Sequence, residues 1–275
     1  MQLKNKVILA CAGAGKTRGM CVDAINLIDS TKKKVLLISY THRSVSSIKK
    51  EYSKLNNGVI DKNAVIYTWY QFLLRELIKP YQRSFTNQIN RIRSIDFSNM
   101  YGGINFFRKN TFPYFLNKNY DVRVNYASEF ALLLNQLTKG AVIKRLEEVY
   151  KTIYIDEIQD LVGKDLELLE LFFQSSLKVY CVGDHRQPTF RTHNAKTNKK
   201  KRGQNIFNYL ETVKDKYQIE MINNNVSQRF ISDIAEFANL LYPDDPIIGG
   251  ASSDKYGSGV YLIRKEDAVD YINFF

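Results

Sequence analysis

The sequence predicts an α/β fold with a parallel sheet, because short apolar runs alternate with helical segments and a glycine-rich loop follows the first run. Five runs rich in apolar and β-branched residues end in polar or glycine-containing turns, as buried parallel strands do: Lys6–Ala12, Lys34–Ser39, Val65–Thr68, Thr152–Ile155 and Lys178–Val182. Helical spacing follows the first four runs, at Lys16–Ser30, Ser44–Leu55, Gln71–Leu77 and Asp165–Gln174. In such a sheet, ligands are expected beyond the carboxyl ends of the strands.

The chain is strongly basic, with 40 Lys and Arg residues against 28 Asp and Glu residues and a formal net charge of +12. This balance favours a polyanionic partner such as DNA or RNA, although a merely soluble basic surface has the same composition. The three cysteines have no metal-ligand spacing and suit a reducing compartment. The N-terminal apolar run is far shorter than the ~20 residues of a membrane span. We therefore expect a cytoplasmic protein with no membrane partner.

The third and fourth predicted strands are separated by about eighty residues, roughly 72 to 150, whereas one βαβ unit needs only ~30. We therefore predict one domain formed by residues 1–76 and 146–205, with residues 77–145 inserted as a helical subdomain. Residues 206–275 are predicted to start another domain. The insert holds a cluster of aromatic and basic residues from Phe106 to Phe115. Two interpretations of these aromatic residues are open: they form the core of the insert, or they form a surface on which bases stack.

The strongest motif lies between the first strand and the first helix. Residues 10–17, ACAGAGKT, fit the P-loop pattern [AG]-x-x-x-x-G-K-[ST]. The glycines of such a loop let backbone N–H groups close around phosphates, the lysine neutralises phosphate charge, and the threonine hydroxyl can bind Mg²⁺. The predicted cofactor-binding residues here are Ala12, Gly13, Ala14, Gly15, Lys16 and Thr17.

Two carboxylates supply the second half of such a site. Asp156 and Glu157 directly follow the apolar strand that ends at Ile155. Together with a P-loop, this pair is typical of a Walker B motif, in which Asp156 and Thr17 bind Mg²⁺ and Glu157 orients or deprotonates the attacking water. These residues therefore predict a P-loop NTPase that uses a nucleotide, ATP in our interpretation, together with Mg²⁺.

Two longer motifs indicate which class of P-loop NTPase the sequence resembles. Residues 156–160, DEIQD, and residues 182–187, VGDHRQ, resemble motifs II and III of UvrD/Rep-like superfamily 1 DNA helicases, and the P-loop resembles theirs. The resemblance implies a RecA-like P-loop domain with an inserted 1B subdomain and the start of a second RecA-like domain at residues 206–275. It also implies ATP hydrolysis coupled to 3′-to-5′ movement on single-stranded or partly duplex DNA, with Gln187 sensing the γ-phosphate.

The same resemblance assigns further residues. Residues 39–44 resemble motif Ia and residues 68–72 resemble motif Ib, and both motifs line the single-strand path in the family. Arg18 matches a position that stacks on adenine, while Arg229 lies in a loose match to motif IV and would reach the γ-phosphate. The implied nucleic-acid contacts are Tyr40, Thr41, Thr68, Trp69 and Phe190. The first four have alternative roles in strand-end packing and helix capping.

The sequence departs from the family pattern in three places. Cys11 stands where the family has glycine, no glutamine lies at the adenine-reading distance upstream of Lys16, and nothing after residue 230 resembles motifs V and VI. The chain is therefore expected to lack the C-terminal half of the motor. Its short insert also resembles that of helicase-like subunits in Gabija-type antiphage systems.

Two other functions compete with the helicase interpretation. The first is an ATP-sensing, DNA-binding module that partners a nuclease or another effector, for example in antiphage defence. The second is a small-molecule P-loop kinase, which would have no use for motifs resembling Ia, Ib and III. DNA-stimulated ATP turnover separates a motor from a module that only senses nucleotide.

Overall fold

The structure is a computed structural model that describes residues 5–86, 91–98, 107–184, 186–187, 197–203, 205–243, 245–250 and 264–267. The chain forms two compact units, the first comprising residues 1–9 and 17–222 and the second comprising residues 10–16 and 223–275. Within the described residues, no helix combines the length and the apolar character needed to cross a lipid bilayer.

Strands and helices alternate along most of the chain. The strands of the described residues are β1 (Asn5–Ala10), β2 (Lys34–Ser39), β3 (Ala64–Thr68), β4 (Ile95–Asp96), β5 (Val122–Arg123), β6 (Tyr150–Ile155), β7 (Lys178–Gly183), β8 (Ile219–Asn224), β9 (Val226–Ser227) and β10 (Ile248–Gly249). The α-helices there are α1 (Lys16–Thr31), α2 (His42–Leu55), α3 (Trp69–Phe72), α4 (Phe112–Phe115), α5 (Ala127–Leu137), α6 (Ala141–Val149), α7 (Lys164–Gln174), α8 (Asn205–Tyr217) and α9 (Ser232–Leu241). Helix α3 continues through a π-helical turn, Leu73–Ile78, into a 3₁₀ turn, Lys79–Ser84.

Six strands form the central sheet, in the order β3-β2-β6-β7-β1-β8. The pairs β3–β2, β2–β6, β6–β7 and β7–β1 are parallel, and the five predicted strands are the five members of these pairs. The predicted α/β fold is therefore confirmed. Strand β8 was not predicted, because its Asn-rich end hides the strand pattern, and it lies beyond the predicted domain limit at residue 205. The domain limits themselves stay a prediction.

The sheet buries both of its faces, as strand β2 illustrates. Val35 and Leu37 pack with helices α1 and α2 on one face, whereas Leu36 and Ile38 pack with the insert and α7 on the other. All four side chains are fully buried. Alternate side chains of a strand point to opposite faces, and burying each such side chain stabilises the fold by roughly 1.5–3 kcal/mol. Two-sided burial explains why these strands are continuously apolar.

Aromatic residues of the insert contribute to the apolar core that packs against the sheet. The Phe115 ring lies 4.8 Å from that of Phe130 and 5.7 Å from that of Phe85, measured between centroids, and Phe115 and Phe130 are fully buried. The core interpretation of the aromatic cluster is therefore confirmed for Phe115, while Phe106 lies outside the described residues. Besides its helices, the insert contains one short parallel pair of strands, β4 and β5.

A buried carboxylate joins the insert to the sheet domain. Asp165, at the start of α7, is 0% exposed and accepts hydrogen bonds from the Trp69 indole at 3.1 Å and the Val162 N–H at 3.3 Å. The hydroxyl of Ser128, on insert helix α5, donates to the same carboxylate. Three segments distant in sequence are thus tied to one side chain.

We expect Asp165→Ala to lower the free energy of unfolding by about 3 kcal/mol, because it leaves buried donors unpaired. Asp29→Ala is the matched control, since Asp29 is exposed on α1 and pairs with the exposed Lys32, and it should change stability by less than about 0.5 kcal/mol. Urea unfolding measures both variants. Equal midpoints for the two would contradict the proposed role of the Asp165 carboxylate.

Candidate nucleotide site

The P-loop occupies the stretch between the end of β1 and the start of α1. Gly13 and Gly15 have φ angles of +79° and +75°, a left-handed conformation that glycine adopts without steric cost. The ammonium group of Lys16 donates hydrogen bonds to the carbonyl groups of Ala10 at 3.1 Å and Cys11 at 3.2 Å. These bonds hold the lysine against the loop that precedes it.

The segment resembling motif IV packs directly on this loop, within the second unit. The Ser227 hydroxyl donates to the Ala12 carbonyl at 2.8 Å, and the Gln228 N–H donates to the Gly13 carbonyl at 3.0 Å. The Ser227 oxygen also accepts from the backbone N–H of Arg229 at 3.2 Å. Arg229 is therefore anchored beside the P-loop through its backbone, and its side chain is exposed.

Cys11, which departs from the family pattern, has a packing role. It is 4% exposed and packs with Ala235, Ile247 and the partly buried Phe230 in a small apolar cluster of the second unit. Its N–H donates to the Asn224 carbonyl at 3.1 Å. An apolar side chain at this P-loop position thus joins the loop to the segment after β8.

The two residues predicted to bind Mg²⁺, Thr17 and Asp156, both lie in the first unit. Asp156 follows β6, is 5% exposed, and donates its N–H to the Ile38 carbonyl at 2.8 Å. The Thr17 hydroxyl lies 3.5 Å from Oδ2 of Asp156, longer than the roughly 2.5–3.0 Å of an ordinary O–H···O bond. A hydroxyl and a carboxylate so close together fit Mg²⁺, which takes few protein ligands and completes its shell with phosphate and water.

Glu157 has an unusual backbone conformation. Its φ and ψ are 56° and 49°, and a non-glycine residue in this region is strained by the order of 1–3 kcal/mol. Its N–H donates to Oδ1 of Asp156 at 3.1 Å, and its Oε2 accepts from the Gln159 amide at 2.6 Å. The backbone strain and the two hydrogen bonds together fix the direction of the Glu157 carboxylate.

Gln159 connects the motif II residues to the loop after β7. It is 2% exposed, and while its Nε2 donates to Glu157, its Oε1 accepts from the Asp184 N–H at 3.1 Å. Gly183 makes this approach possible, because a Cβ there would lie 2.8 Å from Cγ2 of Ile158 and closer still to Oε1 of Gln159. The sequence alone indicated no role for Gln159, although it is part of the DEIQD motif.

Asp184 carries the connection to the residue expected to sense the γ-phosphate. Its carboxylate is buried and accepts from the Arg186 N–H at 3.0 Å and from the Gln187 amide at 3.1 Å. Gln187 itself is exposed. An unbroken series of contacts thus runs from Thr17 to Gln187 through Asp156, Glu157, Gln159 and Asp184.

The predicted DNA-contact residues have different surroundings. Thr41 and Thr68 cap helices α2 and α3, accepting from the Ser44 N–H at 3.0 Å and the Gln71 N–H at 3.2 Å. Trp69 is 1% exposed and bonded to Asp165, so the structure gives it a core role instead of the expected base-stacking one. Phe190 lies outside the described residues.

One aromatic row does reach the surface. The half-buried ring of Tyr40 lies 6.2 Å from the ring of Tyr70, which lies 5.1 Å from the ring of Phe97 in the insert. Phe97 is 50% exposed. Phe97 was not predicted, since an isolated phenylalanine in an irregular segment gives no signal in the sequence.

Arg18 was expected to stack on adenine. In the structure its side chain is exposed, and its guanidinium group pairs with the Glu51 carboxylate at 3.0 Å.

The parallel sheet, the glycine-rich loop and the carboxylate pair define a P-loop NTPase fold. Residues 1–191 match the family model of the AAA domain, a P-loop NTPase domain found in UvrD/Rep-like helicases. The match covers more than half of the 275 residues, and the chain belongs to this AAA domain family. A search of curated proteins finds no match.

We expect Gly13→Ala to destabilise the protein more than Gly15→Ala. Both alanines would have a positive φ, which costs about 1–2 kcal/mol. At Gly13 the added Cβ would also lie 2.6 Å from Cβ of Arg229 and 2.7 Å from Oγ of Ser227, whereas nothing lies within 4 Å at Gly15. Overpacking of this kind adds about 1–3 kcal/mol.

Thermal unfolding of the two variants tests this difference. The close approach at Gly13 predicts a clearly lower unfolding temperature for Gly13→Ala than for Gly15→Ala. If the two glycine variants unfolded at the same temperature, residues 227–229 would not pack on the P-loop as described.

Proposed function

We propose that this chain is the ATP-binding portion of a UvrD/Rep-like superfamily 1 helicase or translocase, which couples ATP hydrolysis to movement on single-stranded DNA. The observation that carries the proposal is the series of contacts from Thr17 to Gln187. It joins the residues expected to bind Mg²⁺, activate water and sense the γ-phosphate. A site that only bound a nucleotide would need no fixed link from the water-activating carboxylate to an exposed glutamine.

Each residue has a defined part in this proposal. The P-loop N–H groups and Lys16 bind the phosphates, and the Thr17 hydroxyl and Asp156 carboxylate would hold Mg²⁺. When bound, Mg²⁺ would neutralise charge on the β- and γ-phosphate oxygens. Arg229 is assigned to the γ-phosphate by its place in the segment anchored beside the P-loop.

Glu157 is the proposed general base. Hydrogen bonding from Gln159 occupies Oε2, so the other carboxylate oxygen can accept a proton from the attacking water. Gln187 then reports the presence of the γ-phosphate, because its amide is bonded to Asp184, which Gln159 positions. A movement of the Gln187 side chain would therefore be transmitted to Glu157 through the hydrogen bonds of Asp184 and Gln159.

DNA contact is proposed at the row formed by Tyr40, Tyr70 and Phe97. The exposed ring of Phe97 and the half-buried ring of Tyr40 offer faces to bases, and base stacking on an aromatic side chain stabilises a complex by about 1–3 kcal/mol per base. Thr41 and Thr68 would contribute by fixing the helices that begin beside this row. The net charge of +12 favours the phosphate backbone as partner.

ATP hydrolysis with and without single-stranded DNA tests the proposed function. We expect turnover that DNA stimulates, and a loss of about 10²–10⁴-fold in Glu157→Gln, which removes the general base. Glu157→Gln should still bind ATP. The control Glu148→Gln changes an exposed carboxylate on α6 and should retain full turnover.

The other outcomes identify other functions. ATP binding without DNA-stimulated turnover would instead support the nucleotide-sensing module that partners an effector. Failure to bind ATP would overturn the proposal, as would turnover that survives in Glu157→Gln.

A further inference from the structure

A cavity of about 470 Å³ lies in the insert, away from the nucleotide-site residues in sequence. Among the residues that the structure describes, Lys79, Arg91, Arg93 and Tyr120 line it. Three of these four side chains are cationic and none is acidic. A concave surface with this lining is suited to an anion.

The sequence builds this cavity from an alternating pattern. Ile92 is 0% exposed, and its N–H donates to Oε1 of Gln82 at 2.6 Å. Arg91 and Arg93, on either side of Ile92, are both exposed, so this segment buries its apolar residue and leaves its two arginines at the surface. The Arg93 N–H donates to the Tyr120 carbonyl at 3.4 Å, which fixes the aromatic wall beside the arginines.

Nearby carboxylates are engaged with other groups. Asp121 accepts from the N–H and the hydroxyl of Ser94 at 3.1 and 2.7 Å, and Asp96 accepts from Asn117 at 3.0 Å. In the part of the chain that the structure describes, no ion pair involves the three cavity cations. The insert segments 87–90 and 99–106 contain no Asp or Glu.

The cations also act on one another. Burial, followed by the positive charges of Arg91 and Arg75, lowers the pKa of the Lys79 ammonium group. A lowered pKa means that the surroundings of Lys79 disfavour the positive charge on its ammonium group. A bound anion would relieve this repulsion.

We propose that this cavity binds a phosphate group of single-stranded nucleic acid. Guanidinium groups bind phosphate through paired N–H donors, and two arginines and a lysine can surround a single phosphate. A pocket of a few hundred Å³ can also hold the sugar or base attached to that phosphate, with the half-buried Tyr120 ring available for stacking. The inference rests on the proposed nucleic-acid partner and adds a second binding surface outside the nucleotide site.

The test measures binding of a fluorescein-labelled oligothymidylate by anisotropy, without nucleotide, between about 50 and 200 mM salt. We expect the combined variant Lys79→Gln, Arg91→Gln, Arg93→Gln to bind roughly tenfold more weakly than the unaltered chain. The slope of log affinity against log salt should become shallower by about 0.7 for each phosphate that the variant no longer binds. Arg91→Gln alone, with a smaller expected effect, keeps the test valid if the combined variant does not fold.

The matched control is Lys139→Gln, Lys144→Gln, Lys151→Gln, which removes the same charge from exposed positions. Its affinity should fall much less. An equal decrease in the two triple variants would overturn the proposal, because net charge alone would then explain it. Absence of oligothymidylate binding by the unaltered chain would overturn it as well.

Two further measurements test whether free phosphate is the ligand of the cavity and whether the cavity variant leaves the nucleotide site intact. Displacement of oligothymidylate by micromolar inorganic phosphate would make free phosphate the ligand and overturn the nucleic-acid assignment. ATP turnover without DNA should be unchanged in the cavity variant. Absence of that turnover in the unaltered chain would count against the proposed function and leave the DNA-binding result, measured without nucleotide, to decide this inference.

Discussion

The side-chain amide of Gln159 uses both of its polar atoms to hold together two loops that follow parallel strands. Its NH₂ group fixes Glu157 after β6, and its oxygen fixes the backbone of Asp184 after β7. Because the amide is 2% exposed, losing either partner would leave a buried polar group unpaired, at a cost of about 1–3 kcal/mol. Much of the geometry around Glu157 and Gln187 depends on this one side chain.

The sheet makes this arrangement possible. Strands β6 and β7 are parallel neighbours, so their carboxyl ends lie at the same edge and the loops that follow them can meet. Gly183 supplies the remaining condition, since any side chain there would collide with Ile158 and the Gln159 amide. The left-handed backbone of Glu157 is tolerated because hydrogen bonds to both of its neighbours in the series hold the residue in place.

The parts of the molecule with strong local patterns are the ones that could be predicted from the sequence. The five apolar strands, the P-loop and helices such as α1 are confirmed because periodicity and glycine placement are local properties. Strand β8 was missed, since its polar residues hide the pattern and its place depends on pairing with β1.

Trp69 shows another limit of prediction from local sequence. Its motif suggested a DNA contact, but only the fold reveals that Asp165, 96 positions away, accepts a hydrogen bond from its indole.

The site residues illustrate the same distinction. The resemblance to motifs II and III predicts that Asp156, Glu157 and Gln187 belong to one site, but it does not predict the contacts that link them. That link depends on Gln159 and Asp184, whose roles follow from two loops meeting in space. Likewise, Arg91 and Arg93 are ordinary basic residues in sequence, and only burial of Ile92 between them reveals that they share a cavity with Lys79.

The most direct test of the coupling between these residues is whether Gln159 and Gln187 act as one unit in the proposed sensing of the γ-phosphate. The measurement is the ratio of the dissociation constants for ADP and ATP, both with Mg²⁺, in Gln159→Leu, Gln187→Ala and the double variant. If Gln159 positions Gln187 through Asp184, each single variant will lose most of the preference for ATP and the double variant will lose no more. Independent effects that multiply in the double variant, or an unchanged preference in Gln159→Leu, would show that Gln159 does not position Gln187 through Asp184.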